Sequence, residues 1–517
     1  MSLHRDRCRE IEELIGTYGN ADYDPLISRK DFRFYYHLSS LRHALLSWYD
    51  FGSRQSALEV SPGYGAMTGL YLDRFASVDA IEADSAMAAS LRTRFRVSGL
   101  NVEETAFACY ETGKRYDWIF LIDADREQCG DLQEVFAKCR SLLSGSGTVV
   151  FGFRNAAGIK YQSGAIDDLV TIPHRTEDLF GKDEVLKEAH NHFSCVRCFY
   201  ALPDHLFTQA VFSDESLPAG SIRDRMFCID PFGGMSGKDL NREYDRVVTE
   251  NALSENSDFV LIFLSDSIPE VRPVQAVLSA DRGDSGYRTV FLNDGTVAKS
   301  AYTAAGTEKL MAEHRNLEEL KEKGLAVVSE RVDGKTLRMP RIRDRGLLEE
   351  IEERLRAGDR DGIAGLFREI YDNILRSSET DDSGYETGVW RLLREEAGVI
   401  LRTGYVDMIP YNAFYDGKEI VYYDQEFTRE YCPALYIMYR AVNYTYIHIP
   451  ELNELIPRED MMRLFGLTEV MQRAFQDVEN RFVGRNRNWE LYRQIYGWAA
   501  DAAGRRNGEN GEKGTEQ

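Results

Sequence analysis

The chain has 517 residues, a length that one hydrophobic core does not cover and that predicts more than one domain. Its 43% hydrophobic and 11% aromatic content excludes a largely disordered polypeptide. With 63 Lys and Arg against 85 Asp and Glu, the formal charge of -22 excludes broad binding to nucleic acid or anionic lipid, which basic side chains mediate.

The N-terminal MSLHRDRCREIEELIG carries no apolar targeting core, and no run approaches a membrane-spanning length. A cytoplasmic protein without a membrane span is expected. Residues 1–55 read as an N-terminal helical cap, with LISRKDFRFYYHLSSLRHALLSWYDF as a continuous helical pattern. From 56 to 266, short apolar runs (SALEV, VDAIEAD, YDWIFLI, GTVVFGF) alternate with amphipathic stretches. That rhythm predicts a doubly wound α/β sheet, because parallel strands need helical crossovers. A helix is expected around Glu177 to Ala189, then strands CVRCFYAL and DFVLIFLS, with an insertion over about 213–256. The eight cysteines are scattered and expected to be reduced, and Cys195 and Cys198 read as strand residues rather than a metal pair.

Residues 267–275, with two prolines, read as a linker. The remaining domain, 276–502, opens with YRTVFLNDGTVAKSA, a predicted hairpin turning at Asn293-Asp294-Gly295. A charged helix ends at Gly324, the strands LAVVSERV and KTLRMPRI follow, and the rest is mostly helical. Residues 503–517 form a polar tail expected to be disordered.

Two constellations stand out. The first is Leu58-Glu59-Val60-Ser61-Pro62-Gly63-Tyr64-Gly65, a strand running into a helix through glycines that allow a tight turn and close ligand approach. Glu82, at the end of the next strand, can accept both hydroxyls of a ribose. This segment resembles the class I S-adenosylmethionine-dependent methyltransferases over roughly Leu38 to Ser265, with Ser61 where the motif's first glycine stands. The resemblance implies that Glu59, Gly63 and Gly65 line the methionine end of the cofactor, that Glu82 holds its ribose, and that Asp123 faces the transferred methyl group. A nicotinamide cofactor fits less well, since Gly63, Gly65 and Gly69 match its Gly-x-Gly-x-x-Gly only loosely. Ile122-Asp123-Ala124-Asp125 lacks the Asn/Asp-Pro-Pro-aromatic motif of amino-directed nucleic-acid methyltransferases.

If the acceptor is a hydroxyl, a base must take its proton, and Asp123, Asp125, Glu127 and His37 are the candidates. For His37, packing against the sheet is an equal reading. The segment holding His37 and GFRNAAGIKYQSGA resembles bacterial methyltransferases of surface-polysaccharide synthesis. Asn155, Lys160 and Tyr161 are thus candidate substrate contacts, loop anchoring being the stronger reading of those residues.

The second constellation is Asp407, followed five residues later by Asn412 and then by Asp424 after a hairpin at Asp416-Gly417-Lys418. Kinase-type phosphoryl transfer requires one carboxylate to orient the hydroxyl, and an amide and another carboxylate to hold Mg²⁺. The spacing resembles the aminoglycoside phosphotransferase-like kinases. That resemblance implies Asp407 as base, Asn412 and Asp424 as metal ligands, Lys299 on the phosphates of ATP, and Glu313 as the ion-pair partner of Lys299, with Glu318 as fallback. Tyr405 stands where the family has His.

The expected fold class is therefore a doubly wound Rossmann-like methyltransferase sheet followed by a bilobal α+β kinase-like domain. The fusion resembles bifunctional enzymes that cap bacterial O-antigen chains. It implies a small-molecule or glycan substrate, S-adenosylmethionine and possible ATP and Mg²⁺ as cofactors, no nucleic acid, and association with a glycan-assembly complex. The alternatives are a protein or small-metabolite methyltransferase with a non-catalytic second domain, and an interaction scaffold with both sites decayed.

Overall fold

The computed structural model describes residues 2–20, 32–52, 56–96, 99–124, 126–162, 179–218, 240–381, 383 and 398–486. These divide into two compact units. The first holds the described residues up to Asp281 and the segment Arg288–Asp294, and the second holds Arg282–Tyr287 and 295–486.

In the first unit the strands are β1 (Ser56–Val60), β2 (Ser77–Glu82), β3 (Leu100–Glu104), β4 (Tyr116–Ala124), β5 (Leu143–Arg154), β6 (Cys195–Leu202), β7 (Ala210–Ser213), β8 (Phe259–Ser265), β9 (Pro273–Leu278) and, from Arg288 on, β10 (Tyr287–Leu292). Its helices include α1 (Ser2–Tyr18), α2 (Phe32–Leu38), α3 (Thr68–Arg74), α4 (Ser85–Arg94), α5 (Leu132–Leu142), α6 (Lys182–His192) and α7 (Leu240–Thr249). Strands β3-β2-β1-β4-β5 pair in parallel in that order. Strand β8 then enters antiparallel beside β5, and β6, β7, β9 and β10 extend the sheet in antiparallel pairs. The order reverses between β1 and β4, and in doubly wound sheets the ligand crevice lies beyond the carboxyl ends of the strands at such a point.

Both faces of the parallel part are covered, as its near-continuous apolar strands require. Along β4, Trp118 and Phe120 point into a cluster with Phe51, Tyr71 and Phe75, while Ile119 and Leu121 point into another with Phe136 and Phe151. The twofold alternation of a strand makes that division. The Tyr71 and Phe120 rings stack with centroids 4.1 Å apart. The cap of the glycine bend is α1 with α2, whose Ile11, Leu14, Phe34 and Leu38 bury Tyr64.

Several sequence expectations change. The long helix expected through residues 26–51 ends at Leu38, because the Ser39 hydroxyl accepts the Leu41 amide and starts a 3-10 turn. The helix expected at Glu177 to Ala189 runs over Lys182–His192. The linker is shorter than 267–275, since Pro273 opens β9, which pairs with β7 and β10; Ala276 to Leu278 belong to that strand rather than to a second domain. The insertion contains α7, while its residues 219–239, like Asp125 and the 503–517 tail, lie outside the described residues. Cys195 and Cys198 sit in β6, and all described cysteines are free. Among the described residues no helix is long and apolar enough to cross a membrane.

The second unit contains β11 (Thr296–Ala301), β12 (Arg331–Asp333), β13 (Thr336–Pro340), β14 (Arg345–Gly346), β15 (Ile400–Tyr405), β16 (Ala413–Tyr415), β17 (Ile420–Tyr422) and β18 (Thr428–Pro433). Its main helices are α8 (Ala304–Glu322), α9 (Leu347–Arg356), α10 (Arg360–Arg376), α11 (Ala434–His448), α12 (Arg458–Leu464) and α13 (Glu469–Asn486). Strand β13 pairs antiparallel with β11 and β12, setting Lys299 opposite Leu337. Helix α8 starts on the Thr303 hydroxyl, which accepts the Gly306 amide, and packs Leu310 beside Tyr287, Ala301 and Leu337. The expected strand LAVVSERV narrows to one bridge, Val327 to Tyr422, before β12. A separate core joins α9 to α13 with β15 and β18 through Ile351, Phe367, Tyr436 and Phe475.

Candidate functional site

The bend after β1 begins with Ser61 at φ 53° and continues through Gly63 at φ 59° and Gly65 at φ 85°. L-residues avoid this left-handed region and glycine does not, so Ser61 is a serine held in a glycine's conformation. A Cβ on Gly63 would meet nothing within 4 Å, whereas one on Gly65 would lie 2.6 Å from Phe95 and 2.9 Å from Leu91. Gly63 is thus open to a ligand, while Gly65 is glycine because α4 and the residue after it pack against the bend. Glu82, ending β2, accepts the Gly63 amide at 3.0 Å with one oxygen and the Asp84 amide at 3.0 Å with the other. Asp84 in turn caps α4. Glu59 is buried and accepts the Thr68 hydroxyl at 2.7 Å, and burial lifts its carboxyl to about 8. Burial also raises Glu82, against the amide bonds that favour its charged form.

Asp123, at the carboxyl end of β4, has φ 65°, a strained setting that its partners enforce. Its Oδ2 accepts hydrogen bonds from the Tyr36 hydroxyl and from the Arg154 guanidinium at 2.8 Å, and the His205 Nε2 stands 3.3 Å away. Burial alone would raise this carboxyl, but Arg154, His205 and Tyr36 outweigh it and hold the group well below the usual carboxylate range. The other oxygen, Oδ1, is buried without a hydrogen-bond partner. His205 stacks on Phe259 with centroids 4.3 Å apart, and burial, which outweighs the pull of Asp123, keeps its ring neutral. Arg42 covers the Tyr36 ring at 4.3 Å. Arg94, from α4, donates to the carbonyls of His37, Leu38 and Tyr64 and fastens the end of α2 to the glycine bend.

His37 is placed by packing: its ring stands edge-on to Tyr36 and Tyr64 at 4.7 and 5.0 Å. It is Tyr36, one residue earlier, that reaches Asp123. Asn155 donates to the carbonyls of Glu255 and Ser257, and the Lys160 amide donates to Asp258, so these loop residues anchor the chain. Asp117 is structural as well, accepting the Ser56 and Ser144 hydroxyls. Nothing in the sequence singled out Tyr36, Arg154 or His205. Arg154 carried the one available signal, a basic residue ending the strand beside β4.

In the second unit, Lys299 on β11 donates to Glu313 of α8 at 2.6 Å, to Asp424, and to Glu426 at 3.3 Å. Its ammonium lies 4.6 Å from the Tyr287 ring centre. Burial would lower the lysine, but Asp424, Glu313 and Glu426 raise it and keep it charged. Asp424 follows β17 at φ 56°. Asp407 accepts the Phe427 amide at 3.1 Å and pairs with Arg440 at 3.3 Å; burial raises its carboxyl to about 6. The Asn412 side chain donates to the Asp407 carbonyl, which also accepts from Gln425. Tyr405 bonds Glu319 at 2.6 Å and does not reach Asp407 by that bond. Glu318, the fallback partner of Lys299, instead pairs with Lys321 on the exposed face of α8. The structure therefore gathers Lys299, Glu313 and Asp424 in one cluster and Asp407 with Asn412 in one loop.

No protein-family model and no curated protein matches the chain. Solved structures similar to it include an amino pentose methyltransferase from Micromonospora echinaspora, at 22% identity over 21% of this chain and 45% of that one, with a TM-score of 0.18. The N-methyltransferase NodS from Bradyrhizobium japonicum is similar at 12% identity, over 44% of this chain and 84% of that one, TM-score 0.26. A methyltransferase from Archaeoglobus fulgidus is similar at 14% identity, over 46% and 98%, TM-score 0.30. The chain thus spans under half the length of the first of these.

Proposed function

We propose that the first unit is an S-adenosylmethionine-dependent methyltransferase and the second a kinase-type phosphotransferase, acting on a sugar or sugar phosphate in bacterial cell-surface polysaccharide synthesis. The methyl-transfer reading is carried by the bend at the strand-order reversal, where Gly63 leaves its Cβ side open and its amide is tied to the Glu82 carboxylate. Glu59, Gly63 and Glu82 would hold S-adenosylmethionine, which supplies an electrophilic methyl group when bound. Arg154 and Tyr36 fix the charged Asp123, with the neutral His205 packed beside it, and Asp123 would orient an acceptor hydroxyl. The α1–α2 cap over Tyr64 would shield a bound cofactor from water, so that alignment would carry the transfer.

In the second unit Asn412 and Asp424 would hold Mg²⁺, which supplies charge neutralisation at the phosphates of ATP. The carboxylates gathered there suit a hard cation, since one oxygen from each of Glu313, Asp424 and Glu426 lies within 4.8 Å of the others. Asp407 would orient the acceptor hydroxyl and take its proton, and Lys299, paired with Glu313, would neutralise phosphate charge. Binding to a glycan-assembly complex would bring both units to one substrate.

Isothermal titration of the full chain with S-adenosylmethionine tests the first assignment: saturable binding that Glu82→Ala weakens is expected, and unchanged binding in that variant rules the assignment out. ATP turnover by the full chain, lost in Asp424→Ala, tests the second. The hold of Lys299 on Asp424 favours one other reading, a substrate-recognising second unit without catalysis, which ATP turnover lost in Asp424→Ala would overturn.

A further inference from the structure

Arg440, in α11, is a buried guanidinium, 3% exposed, that two carboxylates share. Its Nη1 donates to the Val406 carbonyl and stands 3.3 Å from Asp407 Oδ1, while its Nε stands 3.0 Å from Glu479 Oε2 in α13. Glu479 is buried in its turn and accepts the Tyr436 hydroxyl on Oε2 and the Tyr444 hydroxyl on Oε1, each at 2.8 Å. The Phe482 ring, also from α13, lies 4.8 Å from the guanidinium carbon.

Such a triad is a poor source of stability. Taking each ion out of water is costly, and well-packed apolar side chains of like volume commonly do as well. What it supplies is direction. The guanidinium is a rigid planar fork, so Nη1 and Nε cannot be aimed separately, and the grip of Glu479 on one edge fixes the other edge against Asp407. Asp407 Oδ2 meanwhile accepts the Phe427 amide at 3.1 Å. Both carboxylate oxygens are therefore tethered, and a carboxylate, with about four acceptor sites, keeps room for an incoming hydroxyl.

We propose that Arg440 is a positioning residue for Asp407, aimed by Glu479, so that α13 sets where the carboxylate of the base points. This rests on the kinase-type reading of Asp407 and goes beyond it, because that reading names no residue of α11 or α13. Arg440 acts through Asp407 alone: it holds the Val406 carbonyl and the Asp407 side chain together, which fixes the backbone and the carboxylate of the base with one group.

The test is a double-mutant cycle on ATP turnover by the full chain, with thermal midpoints as the control for folding. Arg440→Lys keeps the charge but loses the fork, and should lower kcat about 10²-fold with KM for ATP unchanged, since a misplacement of about 1 Å costs that much. Made on top of Asp407→Asn it should cost nothing further, because a residue acting only through the carboxylate then has nothing left to aim. Arg440→Met combined with Glu479→Gln removes both charges of that pair together; it serves as the readout should Arg440→Lys not fold, and the same two results are expected of it. Wild-type kcat in Arg440→Lys, a raised KM with kcat kept, or an equal loss on both backgrounds overturns this inference and leaves the kinase-type reading standing. Wild-type turnover in Asp407→Asn, or none by the wild-type chain, removes both.

Discussion

Asp123 in the first unit and Asp424 in the second share a backbone device. Each stands just beyond or at the end of a strand with a left-handed φ, 65° and 56°, and each is gripped by a buried cation, Arg154 and Lys299. Their surroundings have opposite sign. Arg42 and Arg154 both act on the groups around Asp123, with His205 beside them, so basic side chains outnumber the acid there. Around Asp424 the carboxylates outnumber the ammonium. The strained aspartate is thus a way of aiming a charge, and the two settings differ in the imbalance around it: an anion held among basic side chains in one unit, an ammonium held among carboxylates in the other.

The contrast can be broken at its chemistry first. Asp407→Asn is expected to lower ATP-dependent phosphoryl transfer about 10²–10⁴-fold, the worth of a positioned general base. In the wild type that rate should climb as pH rises through about 6, because burial lifts Asp407 there and the base works only when ionised. ADP release against pH checks both, and a flat profile would remove Asp407 from the role. Next in size, Arg154→Met strands Asp123 as a buried charge and should destabilise the first unit by about 3–5 kcal/mol in denaturant melts, with most of the loss restored by adding Asp123→Asn. Equal stability with and without Arg154 would mean that the aspartate is not held as described.

Smaller effects sharpen the picture of the glycine bend. Glu82→Gln should weaken S-adenosylmethionine about 10–100-fold in calorimetry, as expected when hydrogen bonds to a charged group worth about 1.5–3 kcal/mol are degraded. Ser61→Gly should raise stability by about 1 kcal/mol or less, since glycine adopts φ 53° without the side-chain clash but loses more entropy on folding. A further change is one of slope. Glu59, raised to about 8 by burial, favours the folded state most below pH 4.5, and its contribution is lost as pH climbs through 8. The thermal midpoint should accordingly fall less between pH 5 and 8 in Glu59→Gln than in the wild type.

Much of this was legible in the residues. The parallel arrangement of β1 to β5 follows from apolar runs spaced by amphipathic ones, and Glu82 and Asp123 fall at strand ends, with Gly63 in the turn after β1, because the apolar runs stop there. In the second unit Lys299 and Glu313 met as the helix after β11 implied, being fourteen positions apart across one turn into α8. Ser39 ended the first helix early because a local hydroxyl competed with the backbone, a signal too short-ranged to stand out against apolar periodicity. Gly65 was assigned to ligand approach, and the structure gives it to the packing of Phe95 and Leu91.

The sequence by itself determined which segments become strands and helices and which carboxylates stand at their ends, because periodicity and turn chemistry act between near neighbours. Only the tertiary structure decided how those carboxylates are held: Tyr36 and His205 lie 87 and 82 positions from Asp123, and Lys299 lies 125 from Asp424. Charge at such a distance along the chain leaves no periodic trace; it acts only once folding has removed the water between the groups.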